Sequence, residues 1–170
     1  MNRIYVLGHS MGGHGTYIFT QLDPDFFAAA APSAGSGLRR TEPFIDPEKI
    51  KNLPIWAFHG DKDSVCPIEK DQTVFDEMKR LGGNMKFTVW QGDNHGVSGK
   101  MVIGAENGKT DFSSERCNRE PDFMNWLFSQ SRRDSNPRQA GGLDELTEIQ
   151  NELKRLRQLR EQVRSAPDRE

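Results

Sequence analysis

Ser10 stands in the run Gly8-His9-Ser10-Met11-Gly12-Gly13, after the apolar stretch Ile4–Leu7 and before a stretch of helical pattern. A serine on a tight strand-to-helix turn is lifted clear of the sheet. It also sits at a helix N-terminus, where free N–H groups and the dipole favour developing negative charge. The G-x-S-x-G spacing fits such a turn, because side chains two positions before and two after the serine are expected to collide. That reading assigns Gly8 and Gly12 as the turn glycines and the Met11 N–H as an oxyanion donor. A serine hydroxyl also needs a base, and the base needs an orienting acid. Two later turns supply these types: His59-Gly60-Asp61-Lys62-Asp63-Ser64-Val65-Cys66-Pro67 and Gly92-Asp93-Asn94-His95-Gly96. His95 is the candidate base. Asp61 and Asp63 compete for the acid, and Asp61 reads better as a residue whose side chain caps its own turn.

Other reactive types nearby weigh less. His9, His14 and His59 each read as packing or hydrogen-bonding near the site rather than reacting. Cys66 reads as packed beneath the acid turn, and Arg39-Arg40 as a solvated pair. Cys66 and Cys117 are too few for a disulfide framework, and neither lies in a CxxC pair that would hold a metal. Neither a metal nor an organic cofactor is implied.

The elements that must position these residues follow from the apolar pattern. Ile4–Leu7 reads as a strand buried on both faces, the kind found in parallel sheets. Met11–Leu22 reads as a helix with Tyr17, Ile18 and Leu22 inward, stopped at Asp23-Pro24-Asp25. Phe26–Ala31 is a second strand, residues 47–52 a short helix, and Pro54–Phe58 a third strand. Pro67–Leu81 is a long helix with Pro67 in its first turn and Gly82-Gly83 at its end. Met85–Gln91 is a fourth strand and Pro121–Ser129 a closing helix. This alternation means βαβ units, a parallel sheet and helices on both faces. The Gly-rich, polar stretch 96–120 is long for a loop in a compact domain, which marks it as functional or partly disordered.

All the aromatic residues lie in 1–130 and none in 131–170, so the core belongs to the first part. The pattern divides the chain into a domain at 1–130, a polar linker at 131–142, and an amphipathic, coiled-coil-like helix and tail at 143–170. In that helix Leu146, Ile149, Leu153, Leu156 and Val163 are spaced by threes and fours, with Arg160 interrupting the seam. Self-association through 143–163 is one expectation; a solvated helix is the other. With 23 Lys and Arg against 25 Asp and Glu, a chain-wide nucleic-acid surface is not expected. No apolar run reaches transmembrane length. The opening MNRIYVLGHS is too weakly apolar for a signal-peptide core, so the compartment stays unassigned.

The runs GHSMGGHGTY, FAAAAPSAG, PIWAFHGDKDSVCP, GGNMKFTVWQGDNH and WLFSQSR carry a resemblance. Residues 1–130 resemble the C-terminal half of an α/β-hydrolase, and are most similar to the polyhydroxybutyrate depolymerase-like, carboxylesterase and prolyl-oligopeptidase-like group. The resemblance implies Ser10 as nucleophile, Asp63 as acid and His95 as base, in the chain order of that fold, with Met11 as an oxyanion donor. It implies hydrolysis of a carboxylic ester, less so of a peptide, through an acyl-enzyme. The family places strands before the nucleophile strand, so the edge at residues 4–7 is expected to be bare and open to self-association. Residues 33–53 leave little room for a cap, so the expected substrate is a small molecule or an exposed polymer end bearing an ester. The alternative is a truncated, catalytically impaired remnant acting as an interaction module through its C-terminal helix.

Overall fold

The computed structural model describes residues 2–132. Its elements in order are β1 (Tyr5–His9), α1 (Met11–Leu22), β2 (Ala29–Ser33), α2 (Pro47–Ile50), β3 (Ile55–Gly60), α3 (Ile68–Arg80), β4 (Met85–Trp90), α4 (Lys100–Ile103), β5 (Gly108–Phe112) and α5 (Phe123–Ser129). A 3₁₀ turn at Pro24–Phe26 links α1 to β2. The strands form one sheet in the order β1-β2-β3-β4-β5. The first four are parallel and β5 runs antiparallel to β4.

Side-chain alternation along β3 divides the core into two layers. Ile55 and Ala57 face Tyr17 of α1, Ile50 of α2 and Val74, Phe75 and Met78 of α3. Trp56 and Phe58 face the opposite way, towards Phe123, Trp126 and Leu127 of α5. Trp56 meets Trp126 edge-on at 5.4 Å between centroids, and Phe58 stacks on Trp90 at 5.3 Å. Such aromatic pairs add roughly 0.5–1.5 kcal/mol each beyond their burial. His59 is next in the β3 alternation after Ala57, so its ring points under α3, and it is fully buried.

Four expectations change here. The sheet is mixed, because the stretch 96–120 holds α4 and the antiparallel β5. Strand β5 reads GKTDF, too polar to announce itself; it is a mostly exposed edge strand, tied to β4 partly by a 2.7 Å hydrogen bond between Thr88 and Thr110. Strand β1 is not buried on both faces: Leu7 is half exposed, because β1 forms the other edge of the sheet. Helix α1 turns Ile18 and Leu22 outward and buries Gly13, Thr16, Tyr17 and Thr20. Those four share one helical face, and small residues let the helix approach the sheet closely. The Thr16 and Thr20 hydroxyls donate to the Gly12 and Tyr17 carbonyls, so their burial leaves no donor unmet. Fourth, Gly12 is not sterically required, as described below. The helix read at 143–163 and most of the linker lie outside the described residues.

Candidate active site

Ser10 separates β1 from α1 and has φ 57° and ψ −118°, a strained backbone for a residue with a side chain. Its own N–H donates to the Ser33 carbonyl at 2.8 Å, which holds the turn against the end of β2. The glycines around it do different jobs. A Cβ on Gly8 would lie 2.4 Å from the Gly12 backbone, so Gly8 must be glycine. A Cβ on Gly12 would meet nothing within 4 Å. The second enforced glycine is Gly13, where a Cβ would sit 2.5 Å from the Ser33 carbonyl oxygen and 2.9 Å from Gly35 Cα. The reciprocal contact at Gly35 is equally tight, so the run Ser33-Ala34-Gly35 is the sequence signal for this close crossing. Met11 heads α1, and its N–H has no acceptor within the helix by position.

The acid and base turns are brought together at Gly60. A Cβ there would lie 2.5 Å from the Asp93 carbonyl oxygen, so only glycine lets the base loop cross the end of β3. Lys62 N–H donates to that Asp93 carbonyl at 2.8 Å, and Asp61 Oδ1 accepts from Gly92 N–H at 2.6 Å. Asp61 therefore ties the two turns together. The base loop is further held by the Lys100–Asp93 ion pair and by Asn107 Nδ2 donating to Asp93 Oδ2 at 3.0 Å.

These devices place the three predicted residues in one hydrogen-bonded row. His95 Nδ1 lies 2.7 Å from Asp63 Oδ2, and His95 Nε2 lies 2.8 Å from Ser10 Oγ, across 85 positions of chain. Asp63 Oδ1 accepts from the N–H groups of Val65 and Cys66, both at 2.8 Å. Burial pushes the Asp63 carboxyl up, but the hydrogen bonds from His95, Cys66 and Val65 outweigh it and hold it below the usual carboxylate range. An ionised Asp63 fixes the proton of His95 on Nδ1, leaving Nε2 as acceptor for the serine hydroxyl.

The remaining histidines stand around this row. The His9 ring lies 4.8 Å from that of His95, and its Nδ1 bonds Ser33 Oγ at 3.0 Å. Burial, and then the neighbouring His95, lower its basicity. His14 stacks on Phe44 at 3.9 Å. Ser10, Met11, His14, Leu38, Thr41 and Cys66 border a cavity of about 230 Å³ beside the serine. Arg39 and Arg40 are exposed. The chemistry-bearing residue that sequence reading passed over is Asp71. It falls on the inward stripe of α3 with Val74, Phe75 and Met78, and an acid in that register was the available signal.

A family model described as the dienelactone hydrolase family matches residues 1–115. The chain belongs to this family. Among curated proteins it is similar to an acyl-protein thioesterase 1 of Neurospora crassa, 30% identical over 119 residues, which cover 68% of this chain and 46% of that protein. Among solved structures it is similar to a thermostable esterase, with a TM-score of 0.54 and 33% identity over 77% of this chain and 32% of the other. The chain thus spans about half the length of the curated relative it matches. The resemblance to α/β-hydrolases, read from five short runs, holds at the level of family and fold.

Proposed function

We propose that the chain is a serine hydrolase that cleaves a carboxylic ester through an acyl-enzyme on Ser10. The observation that carries this reading is the unbroken row Asp63–His95–Ser10, with hydrogen bonds of 2.7 and 2.8 Å. Ser10 Oγ attacks the carbonyl carbon while His95 Nε2 takes its proton. Asp63 holds the imidazole in the tautomer that accepts and stabilises the imidazolium that forms. The oxyanion meets the Met11 N–H at the head of α1. The tetrahedral adduct collapses as His95 returns the proton to the leaving alcohol. Water then repeats the cycle to release the acid and restore Ser10.

The cavity beside Ser10 suits a short acyl or alcohol chain, and the site is open enough for a small molecule or a polymer end. The fungal relative's name points to thioesters as a further acyl donor for the same hydroxyl. The test is hydrolysis of a short-chain aryl ester by the full chain and by Ser10→Ala. A drop of at least about a thousandfold is expected in the variant. Equal rates for the two would refute the proposal.

A second reading, the non-catalytic interaction module, draws on a different observation. Leu7 on the edge strand and Met11, Ile18, Phe19 and Leu22 on the outer side of α1 are exposed apolar residues. On this reading the full chain associates through that surface, or through 143–163, and hydrolyses nothing.

A further inference from the structure

Beneath the proposed triad lies a second imidazole–carboxylate pair with no part in the steps above. His59 ends β3 with its ring fully buried, and both its nitrogens are engaged. Nδ1 lies 2.5 Å from Asp71 Oδ2. Nε2 lies 2.9 Å from the Cys66 carbonyl oxygen and 3.3 Å from Asp63 Oδ2. The other Asp71 oxygen accepts the Tyr17 hydroxyl at 3.2 Å. Asp71 and Tyr17 are each only 1% exposed.

The proton count follows from the partners. A carbonyl and a carboxylate only accept, so Nε2 must carry a hydrogen. A hydrogen must also lie between His59 Nδ1 and Asp71 Oδ2, and with the other Asp71 oxygen already accepting from Tyr17 it is assigned to Nδ1. We propose that His59 is a permanently charged positioning residue: a buried imidazolium, neutralised by Asp71, that steadies Asp63 Oδ2, the same oxygen that His95 bonds. This rests on the proposed triad. Asp63 Oδ2 is then fixed between two imidazoles and Asp63 Oδ1 between two backbone N–H groups, so the carboxylate cannot swing away when His95 becomes charged.

Every charged or titratable group around His59 bears on this. Asp71 from α3 and Asp63 from the acid turn stabilise its charge. Tyr17 from α1 stabilises Asp71. Cys66 presents its carbonyl, and burial pushes its thiol up. His95 bonds Asp63 and the His9 ring lies against that of His95; burial and this neighbour lower the basicity of His9. For His59 itself, burial pushes basicity down, but the hydrogen bond and charge of Asp71 outweigh it and the balance is upward.

The test uses the full chain in two arms. Imidazole nitrogen NMR on the unmodified protein at pH 8 is expected to show His59 protonated on both nitrogens. A neutral His59 at that pH overturns the proposal. The second arm is ester hydrolysis by Asp71→Asn, with Tyr17→Phe as the milder variant. For Asp71→Asn, kcat is expected to fall about ten- to a hundredfold with KM within about twofold. The acidic midpoint of the pH–rate profile is expected to rise by about half a unit or more as the positive charge is lost. Tyr17→Phe is expected to show the same pattern at smaller size. Unchanged kcat and pH profile in both variants, with hydrolysis still dependent on Ser10, overturn the proposal and leave the triad standing. Hydrolysis that survives Ser10→Ala overturns the triad instead, and the NMR arm still decides the charge of His59. If Asp71→Asn does not fold, Tyr17→Phe and the NMR arm decide.

Discussion

Gly12 and Gly13 sit side by side in the first turn of α1, yet alanine is expected to act on them in opposite senses. At Gly13 the new methyl would start 2.5 Å from the Ser33 carbonyl oxygen, against an ordinary limit near 3.4 Å. The helix and β2 must therefore part by about 0.9 Å, and the obstacles are backbone atoms that cannot rotate aside. Overpacking of this kind costs about 1–3 kcal/mol. The parting also stretches the 2.8 Å bond from Ser10 N–H to that same oxygen, for roughly 1 kcal/mol more. A loss of about 2–4 kcal/mol is expected for Gly13→Ala. Ester hydrolysis should fall about a hundredfold as Ser10 leaves its place opposite His95. At Gly12 the methyl meets nothing within 4 Å, so only the helical preference for alanine remains, a gain of up to about 1 kcal/mol. Urea unfolding of the full chain, followed by fluorescence of the buried Trp56, Trp90 and Trp126, reads both values. A Gly13→Ala variant within about 0.5 kcal/mol of the parent would refute the reasoning, as would a Gly12→Ala variant destabilised by more than about 1 kcal/mol.

The two acids of the acid turn should separate cleanly in ester kinetics. Asp63→Asn is expected to lose three to four powers of ten in kcat, whereas Asp61→Asn keeps an acceptor for Gly92 N–H and should stay within about threefold; the reverse order would assign the acid to Asp61. Asp63 is held below its usual range, so its stabilisation is present above about pH 4 and is lost as pH falls through the lowered value. Asp63→Asn should therefore show a shallower acid limb in unfolding measurements. Lys86 is buried with its ammonium over the Trp56 ring and bonded to the Glu120 carbonyl, and burial lowers its pKa from 10.5 to about 8. The native state thus resists the charged form, a cost of about 1–3 kcal/mol at pH 7 that fades as pH climbs from 8 towards 10.5. Lys86→Met is expected to stabilise the chain at pH 7 and to lose that advantage by about pH 10; a variant less stable at pH 7 would contradict this.

The parts of the fold that were legible in the sequence are those where burial repeats along the chain. Strands β2 and β3 read as apolar runs because both faces are covered, β4 reads from Phe87 and Val89 on one face, and α3 reads from its flanking Pro67 and Gly82-Gly83. The inward face of α1 was misread because it is lined by Gly13, Thr16 and Thr20. Their value is small size and locally satisfied hydroxyls, which hydrophobic periodicity does not register. Strand β5 was missed because an exposed edge needs no apolar residues. At the site, chain order and turn chemistry pointed to Ser10 and His95 and left Asp61 and Asp63 competing; the resemblance favoured Asp63, and the fold brings Ser10, His95 and Asp63 within hydrogen-bonding reach. The enforced glycine at position 13 and the partners of Asp71 were only faintly legible: the run Ser33-Ala34-Gly35 and an acid on the inward stripe of α3 were the signals, but neither names its partner, because both depend on crossings between elements far apart in the chain.

The most direct measurement is peptide mapping by mass spectrometry after the full chain reacts with a fluorophosphonate, which captures a serine only when a neighbouring base takes its proton. A single adduct on the peptide containing Ser10, formed far more slowly in His95→Ala, is the expected result. No adduct, or an adduct formed equally fast without His95, would contradict the proton relay at the centre of the proposed chemistry.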